Sequence, residues 1–171
     1  MKRFQQIFFF FLLAFLAGKG LAQNGPRPAS ARYTKVPVGY LMVLRQGDDV
    51  FAQLESFAKS EKIPSANFTG MGFVNAKFGY FNQKTKQYDP KEFQDVELSS
   101  MQGSIAWQDQ KPSLHVHGVV TDKRFQAYGG HMLAATVGTG SVEILITVHD
   151  KPLQRMMEQP LGANVLNLGS N

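Results

Sequence analysis

The pattern of apolar and polar residues along the chain predicts a protein built mainly of β-strands. Residues 39–45 (GYLMVLR) have the length and the apolar content of a buried strand. Further segments that combine alternation with β-branched and aromatic residues lie between turn residues, at 65–74, 75–82, 92–108, 113–122 and 141–150. The pattern predicts about seven or eight strands, and their short connections favour antiparallel pairing.

One segment has the spacing of a helix. In residues 50–62 (VFAQLESFAKSEK) the apolar positions recur three and four residues apart. Asp48 and Asp49 precede this segment and lysines end it, which suits the dipole of a helix. Pro64 marks the exit of the chain from the helix. We therefore expect one clear helix beside the strands.

The remaining stretches are predicted to connect these elements. Residues 83–91 (QKTKQYDPK) have the composition of a polar hairpin turn, and residues 122–130 (DKRFQAYGG) that of a loop. Residues 131–138 (HMLAATVG) are predicted to be short and partly helical. One helix with a mainly antiparallel set of strands places the chain in the α+β class.

The N-terminus has the three parts of a secretory signal peptide. It opens with Lys2 and Arg3, continues with an apolar run from 7 to 17, and ends in small residues before Gln23. The apolar run has roughly 11 residues, whereas a membrane-spanning helix needs about 20. We therefore predict a signal peptide at residues 1–22 and export to the bacterial periplasm or the medium, with no transmembrane segment after cleavage.

Charge and cysteine content narrow the expected partners. The chain carries 18 basic and 13 acidic residues, a net charge of +5. Three of the basic residues lie in the predicted signal peptide, so the mature chain would carry a charge of +2. A charge this small argues against binding to nucleic acid or to an anionic membrane. The chain has no cysteine, which excludes disulfides and thiolate catalysis and suits a periplasmic protein.

Composition also predicts that the chain after the signal peptide consists of a linker, a folded domain and a C-terminal tail. Residues 23–35 (QNGPRPASARYTK) are rich in Pro, Gly, Ser and Ala without an apolar period, which indicates a flexible linker. Residues 36–158 contain the predicted elements and are expected to form one folded domain. Residues 159–171 (QPLGANVLNLGSN) are weakly patterned and are predicted to be a C-terminal tail over the surface.

Three of the four histidines fall in the stretch HVHGVVTDKRFQAYGGH, residues 115–131. His115 and His117 alternate on a predicted strand, so their side chains share one face. His131 follows two glycines that allow the backbone to turn back. Three neutral imidazoles suit Zn²⁺ and leave its fourth position open. The alternative is that they are unrelated core, loop and surface residues; His149 lies in a polar turn and is expected at the surface.

Several segments, in order, resemble the plant- and prokaryote-conserved (PPC) domain family. They are LRQGDDVFAQLESFAKSEKI, TGMGFVNAKFGYFN, VELSSMQGSIAW, LHVHGVV and YGGHMLAATVGTGSVEILIT. The resemblance extends over residues 40–147, and the succession of LHVH, YGGH and a β-rich end is its specific part. It implies a curved, mainly antiparallel sheet with one principal helix packed on it, and a homotrimer. It also implies a metal at the positions of His115, His117 and His131, where some prokaryotic members carry one.

This chain departs from the plant members of that family in two places. In those members the domain follows an AT-hook that contacts DNA, and the domain mediates trimerisation and partner binding. The Gly-Pro-Arg-Pro run here lacks the Arg-Gly-Arg-Pro core of the hook. The plant partner-binding segment resembles Gly-Arg-Phe-Glu-Ile-Leu, where residues 94–99 here read QDVELS. Both departures argue against a nuclear DNA-binding role.

The function that these features favour is a binding module: an exported, trimeric PPC-like domain with a three-histidine metal site and an unknown small-molecule or protein ligand. The first alternative is a zinc enzyme that activates water against a small polar substrate. It would need a general base, for which Glu97 and Glu143 are candidates by residue type alone. The second alternative is DNA binding by family analogy. Imidazole suits Zn, Cu, Ni and Fe, which leaves the metal open.

Overall fold

The computed structural model describes residues 31–169, which form one helix and eight strands. The elements are β1 (Tyr33–Val36), β2 (Gly39–Arg45), α1 (Val50–Ser60), β3 (Ser65–Asn82), β4 (Gln87–Gln108), β5 (Lys111–Thr121), β6 (Ala127–His149), β7 (Gln154–Glu158) and β8 (Ala163–Asn167). The predicted signal peptide, most of the predicted linker and the last two residues lie outside the described part. Within that part, no helix is long and apolar enough to cross a membrane.

All eight strands belong to one sheet, in the order β1-β2-β6-β3-β4-β7-β8, with β5 pairing to both β4 and β6. Every pairing is antiparallel except the contact of β4 with β7 at Trp107 and Gln154. The four long strands β3, β4, β5 and β6 thus pair in a closed cycle, as in a small barrel. The predicted mainly antiparallel sheet with one helix is confirmed.

Helix α1 forms where its sequence supplies a cap and an apolar stripe. The Asp49 carboxylate accepts a hydrogen bond from the Ala52 backbone N–H at 3.0 Å, which satisfies a free donor of the first turn. The helix contacts strands β5 and β6. It buries one face against the sheet, through Val50, Leu54, Phe57 and Ala58.

The core lies between α1 and the face of the sheet that the helix covers, and it is formed by alternate residues of the strands. Its largest fully buried side chains include Phe57, Phe68, Met42, Leu54, Met101 and Met132. Strand β5 shows the alternation clearly: Val116 and Val120 are buried in the core, whereas His115 and His117, on either side of Val116, are exposed on the opposite face. The fold therefore presents the histidines on the outer face of the sheet.

Three local predictions are corrected by the pairing of the strands. Residues 131–138 are not partly helical but lie inside β6, because their backbone pairs with β3 over Val74–Gly79. Only residues 122–126 of the predicted loop lie outside strands. The two strands predicted at 65–74 and 75–82 are one strand, β3, whose pairing with β4 shifts register between Gly70 and Gly72 and again at Val74 and Ala76.

Strands also extend into the predicted linker and tail. β1 begins at Tyr33, inside the segment predicted as a linker, and pairs with β2. β7 and β8 form a hairpin that crosses the predicted start of the tail at residue 159. Most side chains of this hairpin are at least partly exposed, so its sequence lacks the apolar alternation of a half-buried strand.

Candidate metal centre

Strand pairing brings the three histidines together on the outer face of the sheet. His115 and His117 are two residues apart on β5, and His131 on β6 is the direct cross-strand partner of His117. Side chains of direct partners project from the same face and lie next to each other. The pairing of β5 with β6 completes the cycle of the four long strands, and the three histidines lie on these two strands.

The three histidines lie close enough together to hold a metal ion. One ring nitrogen from each histidine lies within 4.8 Å of the others. The Nε2 atoms of His115 and His117 are 3.2 Å apart, and the three ring centroids are 5.1–5.2 Å apart. Zinc–nitrogen bonds of about 2.0–2.1 Å at tetrahedral angles require nitrogens about 3.3 Å apart. Three imidazoles at this spacing leave one coordination position for another ligand.

Two of the histidines are held neutral, which is the form that binds a metal. Partial burial, together with the electrostatic influence of His115 and His117, lowers the pKa of His131 to about 4. The pKa of His115 is also lowered, first by burial, then by the Arg155 guanidinium and by His117. At neutral pH both rings are therefore available as ligands without the loss of a proton.

Tyr88 and Gly79 fix the orientation of His131. The Tyr88 ring stacks on the imidazole of His131 with ring centroids 4.7 Å apart and an angle of 8° between the planes. Gly79 on β3 is the cross-strand partner of His131, and a Cβ at Gly79 would lie only 2.8 Å from Cδ1 of Tyr88. The missing side chain at Gly79 therefore makes room for the stacked pair. The sequence contains no motif that identifies Tyr88 as part of the site.

A cavity of about 650 Å³ opens beside the three histidines. We call it the aromatic cavity, because its lining includes Phe78, Tyr80, Phe81, Tyr88, Phe93 and Tyr128. The Lys91 ammonium lies 5.2 Å from the ring centroid of Phe93 and 5.1 Å from that of Tyr128. An ammonium over two aromatic rings is held by cation–π attraction. The aromatic cavity thus combines an apolar wall with the opposite charges of Lys91 and Asp89.

A second cavity, of about 710 Å³, shares His115 and His131 with the first. We call it the arginine cavity, because Arg155 of the β7–β8 hairpin lines it. Arg155 is only 5% exposed, and its Nη2 donates a hydrogen bond of 2.6 Å to the Ser104 hydroxyl. The sequence around Arg155 does not indicate that this side chain lines a cavity beside the histidines, because its place there depends on how the β7–β8 hairpin packs against β4.

The acidic residues considered as general bases do not reach the histidines. Glu97 lies 3.5 Å from the Thr121 hydroxyl, and Glu143 lines a separate groove on β6 and β3. Neither lines the aromatic or the arginine cavity. The carboxylate that does line the aromatic cavity is Asp89, which accepts a hydrogen bond of 3.2 Å from Asn82. His149 ends β6 and lies outside the three-histidine cluster.

The depressed pKa of His131 predicts a pH dependence for the metal-free protein. In the unfolded chain a histidine takes up its proton near pH 6.5, whereas folded His131 does so only at about 4. Between these values the unfolded state binds more protons, so stability falls as the pH is lowered from 6.5 to 4. We expect the melting temperature of the metal-free protein to fall across this window.

The measurement is an NMR titration of the imidazoles, combined with thermal unfolding at each pH. A His131→Asn variant should lose part of the pH dependence of its melting temperature. A midpoint for His131 near 6.5 would contradict the expected burial of its ring.

Comparisons with known proteins identify the family and support the fold. The model of the Plants and Prokaryotes Conserved (PCC) domain family matches residues 32–150. No curated protein matches the chain. Among solved structures, a candidate DNA-binding protein from Ralstonia eutropha JMP134 is 52% identical, with a TM-score of 0.79 over 81% of this chain and 96% of that one.

Two archaeal structures are also similar. A metal-containing protein from Archaeoglobus fulgidus is 27% identical, with a TM-score of 0.67, and the likeness covers 80% of this chain and 98% of that one. A plant- and prokaryote-conserved (PPC) protein from Pyrococcus horikoshii has a TM-score of 0.70 at 23% identity, over 83% of this chain and 99% of that one. The second likeness supports the fold.

Proposed function

This chain belongs to the Plants and Prokaryotes Conserved domain family, and from that premise we propose that it is a binding module whose three histidines hold a metal ion. The observation that carries the proposal is the convergence of His115, His117 and His131 within 4.8 Å. The metal-containing relative from Archaeoglobus fulgidus supports it. Zinc is the metal proposed, because the spacing of the imidazole nitrogens suits its tetrahedral coordination.

The residues around the three histidines favour the binding of a ligand over catalysis. When bound, the metal supplies a Lewis-acid position that accepts an oxygen or nitrogen atom of a ligand. Tyr88 holds the ring of His131 in place by stacking, and both the aromatic cavity and the arginine cavity are lined by His115 and His131. The proposed module would therefore bind a small molecule at the metal.

The test is the metal content of the mature domain, produced without a histidine tag. Zinc is offered to the protein, the excess is washed away, and the remaining zinc is measured by mass spectrometry of the element. We expect about one zinc per chain, as for a three-histidine site with one open position. No bound zinc, copper, nickel or iron after the same treatment would contradict the proposal.

A homotrimer is part of this proposal, and an exposed apolar groove supports self-association. Leu41, Met71 and Leu145 line the groove and are 39%, 61% and 41% exposed. Leu41 is the cross-strand partner of Leu145, so the apolar surface is continuous. Apolar patches of this kind on a protein surface often mark contacts between chains.

A charge in this groove is expected to break the trimer. Leu145→Asp places a carboxylate where another copy would exclude water, which disfavours association. Sedimentation equilibrium should give the mass of three chains for the parent and of one chain for the variant. Phe125→Asp is the matched control, because Phe125 is 88% exposed in the loop before β6 and does not line the groove. Equal masses for the parent and Leu145→Asp would exclude this surface as the contact.

A zinc enzyme is the second candidate, and one observation favours it. The Asp89 carboxylate lines the same aromatic cavity as the three histidines, where it is the candidate to take a proton from water. Its hydrogen bond with Asn82 ties it to the end of β3. An esterase or amidase activity that is lost in Asp89→Asn while zinc is retained would establish the enzyme.

DNA binding is the function named for the relative from Ralstonia eutropha. For this chain the predicted export and the mature charge of +2 argue against it. Binding through phosphate contacts is strong and weakens steeply with salt. A filter-binding assay with duplex DNA is expected to show no such binding. A steep salt dependence would instead favour the DNA-binding alternative.

A further inference from the structure

Arg155 is a buried charge without a charged partner among the described residues. It is only 5% exposed, and its side-chain hydrogen bond goes to the neutral hydroxyl of Ser104. Within residues 31–169 its Nε atom is buried and has no hydrogen-bond partner, and no carboxylate lies within ion-pair distance. Burying a charge in this way is costly unless an opposite charge is supplied.

The position of Arg155 connects it to the histidines. Ser104, which holds the guanidinium, is the direct cross-strand partner of His115. Direct partners place their side chains side by side on the same face of the sheet. Arg155, His115 and His131 line the same arginine cavity. The lowering of the pKa of His115 by the Arg155 guanidinium reflects this proximity.

We propose that Arg155 is the anion-binding residue of the metal site, and that the ligand of this protein is a small organic carboxylate held jointly by the guanidinium and the metal. This inference rests on the proposed function, because it places the anion at the open position of the three-histidine site. The incoming negative charge would supply the partner that the buried guanidinium lacks.

The shape and lining of the cavity favour a carboxylate on an apolar body. Arginine presents a planar fork of donors that matches the two oxygens of a carboxylate. The arginine cavity has about 710 Å³, which is far more than a metal and an inorganic anion fill. Its other walls are mixed: Tyr88, Met157 and Leu161 supply apolar surface, whereas Lys86 adds a second positive charge and Ser113 and Asn164 are polar. An aromatic or aliphatic acid therefore fits better than a free inorganic ion.

The test measures binding of benzoate, acetate and inorganic phosphate to the zinc-loaded and metal-free protein by calorimetry. The parent, Arg155→Met and the control Arg45→Met are compared, since Arg45 is exposed on β2. We expect benzoate to bind the zinc-loaded parent more tightly than acetate or phosphate. Arg155→Met should weaken benzoate binding at least about tenfold, the loss of a charge-assisted hydrogen bond. Its zinc content and melting temperature should not fall, because methionine removes an unpaired buried charge.

Arg155→Lys keeps the charge but lacks the planar fork, and it should also lose affinity without a change in melting temperature. The two variants together therefore separate binding from folding. If both variants melt at a much lower temperature than the parent, Arg155 holds the hairpin in place and the inference is overturned.

The remaining outcomes distinguish a failure of the proposed metal site from a failure of the proposed role of Arg155. Zinc binding with equal benzoate affinity in the parent and Arg155→Met would overturn the role of Arg155 and leave the metal site standing. Benzoate binding that depends on Arg155 without any zinc binding would overturn the metal site and support the anion site alone. Phosphate that binds as tightly as benzoate would overturn the assignment of an organic carboxylate.

Discussion

The double variant His115→Ala/His117→Ala is expected to lose stoichiometric zinc binding altogether. Both side chains lie on the exposed face of β5, and together they supply two of the three nitrogens that converge within 4.8 Å. Protein sites that hold structural zinc release about 10–16 kcal/mol on binding, and most of this comes from their ligands. Removing two of three ligands should therefore lower the affinity at least about 1000-fold.

The measurement is competition for zinc against a chromophoric chelator, with the bound zinc counted after dialysis. His149→Ala is the matched control, because His149 ends the neighbouring strand β6 but lies outside the cluster. Both variants should keep the melting temperature of the metal-free parent, since the replaced side chains do not belong to the core. If the double variant binds zinc as tightly as the parent does, His115 and His117 are not zinc ligands.

The sequence predicts part of this site and misses the rest for a physical reason. The alternation of β5 puts His115 and His117 on one face, and that inference needs only local geometry. The position of His131 opposite His117 depends on the register between β5 and β6. No local pattern sets such a non-local register. The pattern of residues 131–138 predicts a partly helical segment, whereas these residues lie inside β6, and it is this pairing that brings the third ligand into place.

The roles of Arg155 and Tyr88 are even harder to predict from the sequence than the position of His131. Tyr88 lies in a stretch predicted as a polar turn, and it reaches His131 because β4 begins at Gln87 and pairs with the end of β3. Arg155 lies on a short strand whose neighbours are mostly exposed. Its burial comes from the packing of the β7–β8 hairpin on Ser104. Side chains recruited by long-range packing carry no signature in their own segment.

The second large effect is expected for the substitution Gly103→Ala, toward the C-terminal end of β4. A Cβ at this position would lie 2.4 Å from Cζ of Phe68 and 2.6 Å from the backbone oxygen of His115. Phe68 is 2% exposed and packed in the core, so its ring has little room to move. The His115 carbonyl belongs to β5, so relief of the clash would shift the strand that carries two of the ligands. Gly103→Ala should therefore lower the free energy of unfolding by about 3 kcal/mol.

Gly118→Ala is the informative comparison, because it adds the same methyl group on the neighbouring strand. There the new Cβ would lie 2.5 Å from Sδ of Met132, which is the sulfur of a flexible side chain. Met132 is buried, but its side chain has more rotatable bonds than the Phe68 ring, and the nearest backbone atom, the Ser100 oxygen, lies 3.2 Å away. We therefore expect a smaller loss, of less than about 1.5 kcal/mol, in urea unfolding. Gly103→Ala should also weaken zinc binding, whereas Gly118→Ala should leave it nearly unchanged. Equal losses in the two variants would mean that the Phe68 ring and the β5 backbone yield as easily as a methionine, and that the metal site does not depend on a rigid contact between β4 and β5.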